Sequence, residues 1–334
     1  LHRSHRPRFS AARFLSIPRR TLRVAWAVVG ALGAAQPLRA HVDAAGGPVP
    51  PTTWLSWSFE PGVIVPLVLS LWLYVRGLRQ LRRATGVPAK LQREALWFAA
   101  GWLLLVVALV SPLHPWGREL FAAHMTQHEL LMVGAAPLLV LGRPGLVFLW
   151  AFSRRNAREL LLWNRALGGE WLWRWLTTPL VAWVVHTAAL WVWHIPALFT
   201  ATLTSDFAHA LQHASFLGTA LVFWQAVFHG PARRMGYGLG VLYLFLTAMQ
   251  SGALGALITV AATVWYPAYA ATAPRWGLAA LQDQQLGGLI MWIPSAMVYV
   301  VAGLLLFAQW LRSGSPDSRA AAHPQPAPAD PLHG

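Results

Sequence analysis

Residues 286–311 contain no charged side chain. A stretch longer than roughly 18 apolar residues is long enough to cross the hydrocarbon of a bilayer. Backbone groups there can bond only to one another, which makes the stretch a helix. Comparable runs lie near 61–77, 95–112, 119–141, 178–195, 205–228 and 238–265. The expected fold is therefore all-α, a polytopic membrane protein with seven transmembrane helices. Composition agrees: 56% of the 334 residues are hydrophobic, 11% are charged and 20 are tryptophan, too little polar surface to solvate a globule of this size. A shorter run at 145–153 is expected at the interface, and Trp and Tyr near the predicted span ends read as interfacial anchors.

Residues 1–40 read as a signal peptide: a stretch rich in arginine and free of acids, a short apolar run, then the small-residue site Leu38-Arg39-Ala40. An uncleaved span over 24–40 is the alternative. Residues 41–60 form a short extracytoplasmic segment, 61–312 the membrane domain, and 313–334, rich in Pro, Ala and Ser, a disordered cytoplasmic tail. Basic residues crowd alternate loops, among them Arg79, Arg82 and Arg83 after the first run, Arg154, Arg155 and Arg158 after the third, and Arg233 and Arg234 after the fifth. The opposite side carries only Arg39, Arg118 and Arg275. This asymmetry places the mature N-terminus outside and the C-terminus in the cytoplasm. The net charge of +15 is thus a topology signal, the surrounding partner is lipid, and no nucleic-acid module is present.

Ionisable side chains are costly inside a bilayer and face the bundle interior by default. His124 and His128 stand four residues apart in one run, about 40° apart around a helix, so both imidazoles can reach one ion. His209 and His213 repeat the spacing. The predicted topology puts both pairs in the outer leaflet, together with His194 at the end of the fourth run and His114 in an outer loop. The chain has no cysteine, which excludes thiolate sites. The candidate metal ligands are His124, His128, His209, His213 and His194, with Met249 and Met291 as thioethers. Imidazole with thioether suits copper, the reduced ion especially. Glu129, Asp206, Asp283 and Gln284 are expected to fix imidazole tautomers from behind. Asp206 serves equally as a first-turn acid beside a cap at Thr204 or Ser205. His186 is expected to bond across helices to a hydroxyl or carbonyl, and His229 to sit at the interface. Gly252, Ala256, Gly287 and Gly288 are expected to bring backbones together. Two other chemistries fit the same residues: haem, through axial histidines on facing helices, and a copper permease, which needs a polar path across the whole bilayer.

The motifs HMTQHELLMVGAAPLLVLGRP, WHIP, HALQH and DQQLGGLIMW, in that order within seven runs, resemble the polytopic CtaG-type cytochrome c oxidase assembly factors over about residues 54–310. The resemblance implies a factor of the bacterial inner membrane, needed to make active haem-copper oxidase. Its expected partners are cytochrome c oxidase subunits and a periplasmic copper donor. A metallochaperone of this kind has no turnover chemistry, so a non-enzyme is expected.

Overall fold

The computed structural model describes residues 55–86, 88–229 and 237–313. The signal peptide expected over 1–40, the segment 41–54 and the tail from 314 lie outside these residues. Among the described residues the chain is helical, with no strand.

Helix α1 (Pro61–Thr85) opens with a proline at its first position, where the missing N–H costs nothing. It outlasts its apolar run because Leu and Arg continue the helix over the basic stretch as far as Gly86, whose φ of 76° ends it. α2 (Ala89–Leu109) follows Pro88. A short helix α3 (Leu113–Glu119) precedes α4 (Phe121–Leu141). Then come α5 (Pro144–Trp150), α6 (Arg154–Ala166), α7 (Gly169–Leu176), α8 (Pro179–Trp193), α9 (Pro196–Thr204) and α10 (Asp206–His229). α11 (Tyr237–Thr259), two 3₁₀ turns (Pro267–Ala271 and Ala273–Trp276) and α12 (Ala280–Ser313) complete it.

Four helices are long and apolar enough to cross a membrane: α1, α2, α11 over Gly238–Thr259 and α12 over Ala280–Leu311. The number rises to six if the bent pairs α4 with α5 (51°) and α7 with α8 (77°) each make one span. The expected seven is therefore supported only as four to six by length and composition. α10 is 24 residues long but falls short because His209, Gln212 and His213, all buried, lower its hydropathy. The run 238–265 overshoots its helix: beyond Thr259 the chain turns into a loop whose backbone is held by glutamine side chains of α12. Many large apolar side chains, including Val68, Leu103, Val184 and Leu304, face outward, as a lipid-facing surface requires.

α11 and α12 pack backbone to backbone. A Cβ on Gly288 would lie 2.7 Å from the Thr259 nitrogen and 2.8 Å from the Gly255 oxygen, so only glycine fits. Gly287 meets the Phe121 ring of α4 in the same way. α5, the run expected at the interface, presses Val147 onto Gly77 of α1. Within α4, residues Leu130–Ala135 form a π-helical stretch directly after the first histidine pair, and the Met132 carbonyl there accepts the Trp224 indole N–H at 2.9 Å. π-helical turns of this kind are frequent at functional sites. The result brings the first turns of α4 and α10, the last turn of α8 and the short α3 together at one end of the bundle.

Candidate metal centre

His114, His124, His128, His194, His209 and His213 meet at that end, and none is more than 8% exposed. The two i, i+4 pairs place their ring centroids 4.4 Å apart (His124 and His128) and 4.2 Å apart (His209 and His213). Between helices, His128 lies 5.3 Å from His213, and His124 lies 5.4 Å from His209. His114 stacks on His209 at 5.2 Å. Two sets of three nitrogens fall within 4.8 Å of one another, His114 with His209 and His213, and His124 with His128 and His213. With metal–nitrogen bonds of about 2 Å, nitrogens on one ion lie no more than about 4 Å apart, so either set is close to the spacing that one ion needs.

Several of these nitrogens lack a partner. Both ring nitrogens of His128, and Nε2 of His209 and of His213, are buried without a hydrogen bond. Unpaired buried polar atoms are expensive, and a bound cation would satisfy the lone-pair nitrogen of each ring. The donor set therefore fits a metal ion that accepts imidazole.

The side chains that hold the other rings are not those expected. His114 is bracketed by Gln127, whose Nε2 donates to His114 Nδ1 at 2.9 Å and to the Ala108 carbonyl at 2.7 Å, and by Glu60 at 3.3 Å from Nε2. His124 lies between two acceptors, with Nδ1 3.2 Å from the Gly117 carbonyl and Nε2 3.1 Å from Gln212 Oε1. His194 Nδ1 donates to the Leu190 carbonyl at 2.6 Å, and its Nε2 lies 3.4 Å from Met125 Sδ. The signal for the glutamines was in plain view: both pairs read His-x-x-Gln-His, in residues 124–128 and 209–213.

The four residues expected behind the imidazoles do other work. Asp283 accepts the Phe121 and Ala122 N–H groups at 2.7 and 3.0 Å, capping the start of α4 from across the bundle. Gln284 accepts the Trp265 N–H at 2.6 Å and so pins the loop after α11. Glu129 bonds Ser295 on α12. Asp206 pairs with Arg118 at 2.8 Å, and Arg118 also lies 3.9 Å from Glu60, so these three partly exposed charges border the cluster. Met291 is buried in the apolar core with Phe121, Met125 and Met132, and Met249 is 58% exposed, outside the buried cluster. His186, as expected, contacts a hydroxyl across helices, Thr219 Oγ1 at 3.2 Å.

Charge and burial set the edge of the site. The hydrogen bond from His114, with the charge of Arg118, holds the Glu60 carboxyl below the usual glutamate range against the opposing effect of burial. In the loop after α11, burial pushes the Tyr266 and Tyr269 phenols above their ordinary range, so both remain donors. Tyr266 donates to the His194 carbonyl at 2.8 Å and Tyr269 to the Gly117 carbonyl at 2.9 Å, which ties that loop to α8 and α3. Below the cluster the core turns apolar: Phe216 packs on His128 at 4.6 Å, with Phe223 and Trp224 beneath.

Helices apolar enough to cross a membrane, closed at one end over a buried histidine cluster, define a helical membrane protein with a metal-competent centre. The profile of the cytochrome c oxidase caa3 assembly factors (Caa3_CtaG) matches residues 72–313, and the chain belongs to that family. An uncharacterized protein of Mycobacterium leprae (strain TN) is 26% identical over 266 residues, covering 77% of this chain and 40% of its own. An uncharacterized protein of Mycobacterium bovis is 27% identical over 278 residues, covering 79% and 41%. The chain thus spans about two fifths of the length of the curated relatives it matches. No solved structure matches it.

Proposed function

We propose that the chain acts in cytochrome c oxidase assembly by holding a copper ion in the histidine cluster and passing it to an oxidase subunit. In this reading α1, α2, α4, α8, α10, α11 and α12 are seven spans of the bacterial inner membrane. The first described residues lie outside, the C-terminus lies inside, and the cluster lies at the periplasmic end of the bundle, on the side from which a copper donor would approach. The chain carries and releases an ion without turnover chemistry of its own.

The observation that carries this reading is the pair of unpartnered ring nitrogens on buried His128, set among other imidazoles with free nitrogens. Imidazole without thiolate suits copper, and Met125 beside His194 adds a soft donor at the margin. Close ring packing favours an ion over haem, because a porphyrin needs a flat slot between facing axial rings and these rings are in contact edge to face. The apolar floor of Phe216, Phe223 and Trp224 favours a site confined to one end of the bundle over a permease path.

The test is copper content after purification in detergent. Wild type retains copper and His124→Ala/His128→Ala loses it. Equal copper in the two proteins contradicts the proposal.

A further inference from the structure

The two nitrogen triads share one residue, His213. A neutral imidazole has a single lone pair, on whichever nitrogen lacks the proton, so His213 binds one ion at a time. The triads are therefore alternative positions for one ion. They also differ in readiness. In the His124, His128, His213 set, His128 has both nitrogens unpartnered. Each set also holds one ring engaged at both nitrogens, His124 by Gly117 and Gln212 and His114 by Gln127 and Glu60, so ligation in either breaks at least one bond, and the surplus of unpartnered nitrogens lies with His128 in the first set. The second set also lies nearer the partly exposed charges, since His114 contacts Glu60 and Asp206 precedes His209 by one turn.

Resting on the copper reading above, we infer that the cluster is a two-position relay: His124, His128 and His213 hold the ion, His114, His209 and His213 receive it on the way out, and His213 stays bound throughout. His114 is the exit ligand. The outer position is the exit because His114 and His209 border the partly exposed Glu60, Arg118 and Asp206. Without His114 an ion in the holding position must leave in one step.

Copper(I) is loaded onto the full chain in detergent, the metal is counted, and its extraction by bathocuproine disulfonate is timed. Wild type holds one copper per chain. His114→Gln releases its copper more slowly than wild type, by roughly tenfold, while His128→Gln loses affinity by roughly tenfold or more. His114→Asn, as a second variant, gives the same slow release if the first folds poorly. Two coppers per wild-type chain, or His114→Gln and His114→Asn both releasing at the wild-type rate, overturn the relay while leaving copper binding intact. A wild-type protein that retains no copper overturns the reading beneath it.

Discussion

Glu60 is the charged side chain through which the cluster meets solvent on the α1 side. Its carboxyl is held below the usual glutamate range, chiefly by the His114 hydrogen bond. A carboxyl whose folded value is depressed stabilises the protein above its unfolded value, roughly pH 4.3, and that stability is lost as pH falls through the folded value. Glu60→Gln should therefore flatten the fall in thermal midpoint between roughly pH 5 and pH 3, measured by differential scanning fluorimetry in detergent. An unchanged pH profile would mean that the His114 contact does not hold the carboxylate in solution. At this scale the sequence was half legible. The four paired histidines announced themselves by spacing, because i, i+4 is a helical property that needs no tertiary knowledge. Glu60 could not be placed, since its partner lies 54 residues away and only the segment before α1, held by the Ser58 N–H to the Val110 carbonyl beyond α2, brings them together.

Between elements, Asp283 shows how a partner across the bundle outcompetes a local one. Asp283 sits near DQQ on α12, where local reading offers solvent or imidazole as partner, yet the free N–H groups at the start of α4 are stronger claimants in a low-dielectric interior. A cap supplied by a distant helix leaves no local signature. Asp283→Ala should cost about 1 kcal/mol or more, as loss of a helix cap does, and fray the turn that presents His124. The readout is a lower thermal midpoint with weaker copper retention than wild type, and Asp283→Asn, which keeps an acceptor, should recover most of both. Helix ends were misread for a related reason. Hydropathy carried the sixth run to 265 because loop residues 260–265 are apolar, while the stop at Thr259 depends on Gln284 and Gln285 supplying partners to that loop. The close approach at Gly288 was legible as small-residue packing, although its counterpart is Gly255 and not Gly252, which meets the Trp292 side chain.

For the molecule as a whole, membrane character was legible at once, and α10 was read as a span although its buried polar residues keep it below the hydropathy of the four helices that qualify on length and composition. Topology can be settled directly, since the chain has no cysteine to mask. Leu55 and Leu167 are exposed at 85% and 81%. With seven spans and the basic loops inside, Leu55→Cys should react with an impermeant maleimide in spheroplasts and Leu167→Cys only after lysis. Labelling of both from one side would remove the orientation on which periplasmic copper capture depends.

Copper-edge X-ray absorption of the purified, copper-loaded protein tests the central claim most directly. The account predicts a first shell dominated by nitrogen at about 2 Å, with the outer-shell scattering of imidazole rings, lost in His124→Ala/His128→Ala. A shell of oxygen or sulfur without imidazole, or an imidazole shell unchanged in that variant, would contradict it.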